Sequence, residues 1–248
     1  MTLYNPGQEV IERSLAELRE IVAWVNEREG DSPTPTTILI GGWAVDAYNP
    51  YVGSVDIDLV TNSRTRRSLM DHLVHHGGFR YRQYTHHKTV EKGSGAETVI
   101  LDFYSRERRD PFEGGRGELA LDFLDDHTVI TSIRGNIRMA VPTRGALLIM
   151  KLKAVWDRSF RYELGRSPDP EWEYSKLVKD NADVLALLDP EHGGHDLDLE
   201  HLGEMLNRHA FLRECIEKLP ELDDAREKYE RMDENTIRRV CEDFMSVL

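Results

Sequence analysis

Gly41, Gly42, Asp56 and Asp58 fall within one stretch, residues 38–60, reading ILIGGWAVDAYNPYVGSVDIDLV. A short apolar run precedes the glycine pair, thirteen residues follow it, and the two aspartates then alternate with apolar residues. On an extended strand alternate side chains share a face, so Asp56 and Asp58 stand together while Val55, Ile57 and Leu59 turn to the core. Two carboxylates held by a rigid strand can grip a divalent cation. A glycine pair suits a turn where backbone N–H groups must approach an anion, because no side chain is in the way. Together they describe a phosphate cradle facing a metal pair. The plain alternative is that Asp-x-Asp is the polar face of a solvated sheet, which is what the aspartates alone would say. The glycine pair at this spacing, with apolar residues before it and around both aspartates, favours the chemical reading.

A candidate third carboxylate lies in a later apolar segment. In ETVILDFYS, residues 97–105, Val99, Leu101 and Phe103 share one face and Asp102 lies on the other, between Ile100 and Tyr104. An Asp among such neighbours is costly unless paired or metal-bound. Asp122, in the similar LALDFL, is the rival.

The apolar residue, Gly-Gly, gap and apolar-flanked Asp-x-Asp resemble the signature of nucleotidyltransferases of the DNA polymerase beta superfamily. Within it, Lys151 and Ala154, then Arg158, then Lys179, Asp180 and Asp183 resemble the helical pattern of AbiEii-type enzymes, the toxin half of two-gene phage-defence systems. Gly41-Gly-Trp-Ala-Val-Asp46 resembles the opening motif of small-molecule nucleotidyltransferases that modify aminoglycoside or lincosamide hydroxyls. The resemblance covers roughly residues 36–190.

That resemblance implies an α+β fold, a small mixed β-sheet flanked by helices and followed by a mostly helical C-terminal part. It implies transfer of a nucleoside monophosphate from an NTP to a hydroxyl acceptor: RNA such as tRNA, a protein, or a small hydroxylated molecule. Two Mg²⁺ ions, or Mn²⁺, would be held by Asp56, Asp58 and Asp102. Gly41, Gly42, Ser54 and Lys151 would contact the nucleotide, and Asp180 would orient Lys151 or act as general base. An antitoxin protein is the further partner implied for a toxin. Both families carry an Arg shortly before Asp-x-Asp; here that stretch is Tyr51, Val52, Gly53 and Ser54. Ser54 can hydrogen-bond a phosphate oxygen or a ligand carboxylate, and Arg64, Arg66 and Arg67 are candidate substitutes. A nucleotide-binding protein without turnover, and a metal-dependent nuclease, are the other classes the same carboxylates allow.

The elements that position these residues are legible in outline. Residues 8–29 read as an amphipathic helix stopped by Gly30, residues 36–40 as the first strand, and residues 43–48 as a helix ended by Asn49-Pro50. Ser63 is the expected N-cap of a helix through His76, with His72, His75, His76 and the later His86-His87 read as solvated. Residues 79–104 read as strands, and 128–141 as a hairpin around Gly135-Asn136. Past Pro142 the pattern turns helical: 143–160, 171–188, 199–219 and 223–247. This divides the chain at residue 142 into a catalytic domain, 1–142, and a helical domain, 143–248.

Composition sets the outer bounds. The chain has 248 residues, 40% of them hydrophobic, with no apolar run near the ~20 needed to span a bilayer. No basic segment followed by an apolar core opens it, and Cys215 and Cys241 make neither a disulfide framework nor a metal knuckle, so a reducing cytoplasm is expected. A net charge of −13 speaks against a protein that coats DNA with a broad basic face. A local basic cleft for nucleotide or RNA remains compatible with it.

Overall fold

The structure, a computed structural model, describes residues 6–30, 34–82, 88–135 and 137–247. His86 and His87 lie outside the described residues, as does Asn136 of the expected hairpin turn. The fold is α+β and divides into two compact units, Pro6–Arg109 with Ala120–Thr143, and Asp110–Leu119 with Arg144–Leu248.

The first unit is built on a five-stranded mixed sheet. Helix α1 (Gln8–Glu29) buries Val10, Ile11, Leu18, Ile21, Val22 and Val25 along one stripe and ends at Gly30, whose φ of +61 is open to glycine. Strand β1 (Ile38–Ile40) leads straight into α2 (Gly41–Tyr48), then β2 (Asp56–Thr61), α3 (Ser63–His75), β3 (Arg80–Tyr81), β4 (Lys88–Lys92) and β5 (Val99–Ser105), in sheet order β1-β2-β5-β4-β3. Only β2 and β5 run parallel; the other pairs are antiparallel. β1 is shorter than expected because Thr36 and Thr37 spend their amides on Glu29 Oε2, both at 3.0 Å, and Thr37 Oγ1 meets Thr61 Oγ1 at 2.8 Å. These bonds tie the end of α1 to the sheet instead of extending the ladder.

The cap of α3 differs from expectation by one residue: Asn62 is the N-cap, its side chain accepting from the Thr65 amide at 2.8 Å, and Ser63 is the first helical residue. His72 stacks on Trp24 with centroids 5.8 Å apart, whereas His75 and His76 are exposed. The segment holding Asp122, the rival third carboxylate, is a 3-10 turn, Leu121–Asp125, with Asp122 exposed.

Strands β6 (Arg109–Pro111) and β7 (Glu118–Ala120) form a ribbon, and β8 (Thr128–Ile133) and β9 (Ile137–Pro142) form the hairpin, closed by the Ile133–Ile137 pair. The second unit follows from α4 (Arg144–Glu163) and α5 (Pro170–Leu188), which pair along buried Leu147, Leu148, Leu152, Val178, Ala182 and Leu185. The two long C-terminal helices are each broken. The first becomes α6 (Leu199–Arg208), a 3-10 turn and α7 (Arg213–Lys218). The second becomes α8 (Asp223–Tyr229) and α9 (Glu234–Ser246), split at Glu230, which takes φ +64.

Asp110–Leu119, which a division at residue 142 leaves with the sheet, clusters with the helices. Lys153 pairs with Asp110 at 3.0 Å and donates to the Pro111 carbonyl, Asp157 accepts from the Glu113 amide at 2.9 Å, and Arg161 meets Glu113 at 3.3 Å. A Cβ at Gly114 would stand 2.7 Å from the Phe160 ring, so the segment lies flat on α4. Among the described residues no helix is long and apolar enough to cross a membrane.

Candidate functional site

The carboxylates meet on one face of the sheet because β2 and β5 alternate in step. Ile57 and Leu59 on β2, and Val99, Leu101 and Phe103 on β5, are buried, which turns Asp56, Asp58 and Asp102 to the other face, half-buried. The parallel register sets Asp58 opposite Asp102 and Asp56 opposite Ile100. Neighbouring strands are ~4.8 Å apart, so Asp58 and Asp102 are cross-strand neighbours, with Asp56 two residues back along the same face. Thr89 of β4, opposite Asp102, donates to its Oδ1 at 2.5 Å and orients it. Asp122 is exposed on its 3-10 turn, outside this ladder.

Gly41 belongs to the same spot. Ile40 pairs with Asp58, so the chain leaves β1 beside that carboxylate and turns at once into α2. Gly41 takes φ +70, and a Cβ there would lie 2.1 Å from Asp58 Oδ2 and 2.9 Å from its Cγ. Glycine is therefore required twice, for the left-handed backbone and for the space. Ile40, the N-cap of α2, has no capping side chain of its own, and Gly42 lies buried in the first turn. First-turn amides of a helix favour an anion.

Gly41→Ala is accordingly expected to cost roughly 1–3 kcal/mol of stability through backbone strain and overlap. It should also displace the Asp58 carboxylate. Thermal unfolding and a nucleotidyl-transfer assay on the same preparation check both effects.

Whether these residues suit divalent metal can be asked of the donors. All are carboxylate oxygens, the chemistry of hard ions such as Mg²⁺, and the register brings two of them side by side with the third on the same face. Among the described residues no three His, Cys, Asp or Glu side chains are already gathered as an ion site. Asp58 and Asp102 face one another across the ladder with Asp56 on the same face, so the backbone positions suit such a set.

Ser54 is buried in the turn ahead of β2. Arg64 and Arg67 are exposed on α3 and Arg66 is half-buried there. The cation that the sequence did not point to is Arg134, from the turn between β8 and β9. Its Nε and Nη2 donate to Asp46 Oδ2 and Oδ1 of α2 at 2.8 and 2.7 Å. Only the basic residue type signals it, 88 positions from its partner.

Lys151, Asp180 and their neighbours form a separate buried network in the helical unit. Lys151 Nζ lies 2.9 Å from Asp180 Oδ1 and 2.6 Å from Asp183 Oδ2. Lys179 Nζ reaches both oxygens of Asp183 at 2.8 and 2.6 Å, and Arg158 Nε meets Asp180 at 2.8 Å. Burial opposes the charge on Lys151, yet its two aspartates raise its pKa above that of an ordinary lysine. The two aspartates hold Lys151 in place, whereas the resemblance implies a lysine that contacts the nucleotide. Burial would likewise raise Asp180, but Lys151, Arg158 and Lys179 hold it well below the usual carboxylate range. So acidic a carboxyl is a poor general base at neutral pH. Of its two expected roles the geometry fits the orientation of Lys151. Cys215 and Cys241 are buried, which pushes both thiols up to about 12 and makes them unreactive.

No family model matches the chain, and no curated protein does. Several solved structures resemble it in fold. A crystal structure of ANT(2")-Ia in complex with adenylyl-2"-tobramycin is 16% identical over 81% of this chain and 98% of that one, with a TM-score of 0.45. A solution structure of the antibiotic-resistance factor ANT(2'')-Ia is 17% identical over 82% and 96%, with a TM-score of 0.42. A candidate nucleotidyltransferase from Thermotoga maritima is 16% identical over 62% and 86%, with a TM-score of 0.36. At these values none of the three decides the chemistry of this chain.

Proposed function

We propose that the chain is a metal-dependent nucleotidyltransferase that moves a nucleoside monophosphate from an NTP to an acceptor hydroxyl and releases pyrophosphate. The observation that carries this reading is Gly41 packed without a side chain against Asp58, itself in register with Asp102. Asp56, Asp58 and Asp102 would hold Mg²⁺. When bound, the metal polarises the α-phosphoryl group and eases ionisation of the acceptor hydroxyl.

The chain's own residues do the rest. Glycines 41 and 42 open the first turn of α2 to the β- and γ-phosphates, where its amides offset negative charge. Thr89 fixes the orientation of Asp102. The acceptor oxygen bonds the α-phosphorus as the bridge to the β-phosphate breaks, and the acceptor proton passes to solvent or to a carboxylate on this face. RNA such as tRNA, or a protein, is the acceptor class we assign, in a toxin partnered by an antitoxin. The ordered Lys151, Arg158, Asp180 and Asp183 set supports this through its likeness to the toxin-type pattern. A small hydroxylated antibiotic is the second reading, supported by the Gly41-Gly-Trp-Ala-Val-Asp46 motif.

Each NTP, radiolabelled at the α-phosphate, is to be incubated with the full-length protein, Mg²⁺ and in turn tRNA, cellular protein and hydroxylated aminoglycosides, with Asp56→Asn/Asp58→Asn as control. Label fixed to one acceptor class by the wild type alone supports the reading. Label that survives in the double variant, or NTP binding with no transfer to any acceptor, overturns it.

A further inference from the structure

Beneath the glycine pair, on the same helix, lies a charged lock that the transfer chemistry does not use. Asp46 stands one turn beyond Gly42 and is 1% exposed. Both of its oxygens are taken by the Arg134 fork, so it has no reason to join the carboxylates of the sheet. Arg134 itself sits at φ +35, in the left-handed region that a residue with a Cβ enters at a cost. A strained turn whose side chain makes a bidentate contact with a buried carboxylate is a place where the contact, not the turn, sets the conformation.

The guanidinium touches more than Asp46. It lies 5.7 Å from the centroid of Trp43, whose Nε1 donates to Ser14 Oγ at 3.0 Å. A Cβ at Gly53 would stand 3.4 Å from Arg134 Nη2, 3.3 Å from the Trp43 ring and 2.9 Å from Ile11 Cγ2, with Gly53 at φ +85. Arg134 therefore borders both segments that frame the site, α2 with its glycine pair and the turn that delivers Asp56. That turn, residues 51–54, has no basic residue of its own.

We propose that Arg134 is a positioning residue for this site: its fork sets the roll of α2, and its edge against Gly53 sets the entry into β2, so that Gly41 and Asp56 face the same phosphates. A lysine could supply the charge but not the two parallel bonds. The proposal rests on the nucleotidyltransferase reading for its catalytic consequence, though not for its structural one.

The test uses the full-length wild type, Arg134→Ala, Arg134→Lys and Asp46→Asn. Binding of Mg-ATP and Mg-GTP, KM and kcat for transfer, unfolding temperature, and amide hydrogen exchange across the first unit are measured. Arg134→Ala and Asp46→Asn are expected to speed exchange selectively in residues 41–45 and 51–55. Both should raise KM or the nucleotide Kd about tenfold or more, with a smaller effect on kcat. Arg134→Lys should recover less than half of that loss, and added methylguanidinium should restore binding to Arg134→Ala but not to Asp46→Asn. Exchange that quickens evenly across the unit, or not at all, overturns the proposal, as does full rescue by lysine. If the wild type binds and transfers no nucleotide, the functional reading fails alone, and the exchange pattern still decides whether Arg134 positions these segments.

Discussion

Asp58→Asn is expected to lower nucleotidyl transfer by on the order of a hundredfold or more while leaving the unfolding temperature unchanged or higher. Those two directions together separate a catalytic carboxylate from a structural one. Asp58 stands directly across the ladder from Asp102 and two residues from Asp56 on the same face. Like charges at such positions cost roughly 0.2–1 kcal/mol, so removing one relieves the fold. A polar face that merely greets solvent would tolerate the change with activity intact. The metal supplies a readout apart from turnover: Mg²⁺ should raise the wild-type unfolding temperature as it fills the site, since a ligand that binds only the native state stabilises it by mass action. Asp58→Asn should lose most of that rise. Transfer within about threefold of wild type, with the Mg²⁺-dependent rise retained, would remove Asp58 from the site.

Much of this face was legible in the sequence, because strand alternation is a local property. Once Ile57, Leu59, Leu101 and Phe103 are taken as core, Asp56, Asp58 and Asp102 have only the other face left, and parallel pairing of β2 with β5 completes the alignment. The glycine pair read as a turn open to an anion; that the Asp58 carboxylate fills the space of a Cβ at Gly41 is known only from the fold. Tertiary pairings were not legible. Arg134 meets Asp46 because a hairpin folds back on α2, and no periodicity relates positions 88 residues apart. The pairing of Lys151 with Asp180 was implied only by the family resemblance, and that Asp183 shares the lysine inside the helical unit is known only from the fold. Asp122 imitates Asp102 in its neighbours, but its segment turns through a 3-10 helix, where alternation has no meaning. The break at Glu230 carries no sequence signal, because its left-handed φ belongs to a glutamate and not to glycine, the usual residue at such a helix end.

Asp183→Asn should be the most destabilising single change in the helical unit, costing about 3–5 kcal/mol. Asp183 is fully buried and bridges two ammonium groups, Lys151 and Lys179. The network around it is balanced: Lys151, Lys179, Arg158 and Arg161 face Asp180, Asp183, Glu173 and Glu113. Taking away one carboxylate leaves a positive charge in a place that water does not reach, and Lys179 bears the loss first. Burial already lowers its pKa, with Asp183 as the opposing attraction and Lys151 adding repulsion. Without Asp183 its pKa should fall further, which limits the cost but does not cancel it.

At roughly 2–4 °C per kcal/mol for a chain of this size, the unfolding transition should fall by about 10 °C. Lys179→Met/Asp183→Leu removes one charge of each sign, leaves Lys151 with Asp180, and fills the space with apolar atoms, so it should regain more than half of the loss. Acid gives an independent check. Asp180 is held below its unfolded pKa, so its contribution is present above about pH 4 and is lost as pH falls through the folded value. The wild type should therefore lose this contribution as pH falls below about 4, whereas Asp180→Asn, lacking it at every pH, should start less stable at neutrality and lose less on acidification. A shift under about 2 °C for Asp183→Asn, with no recovery in the double variant, would mean that water reaches the network and that its charges are solvated rather than paired.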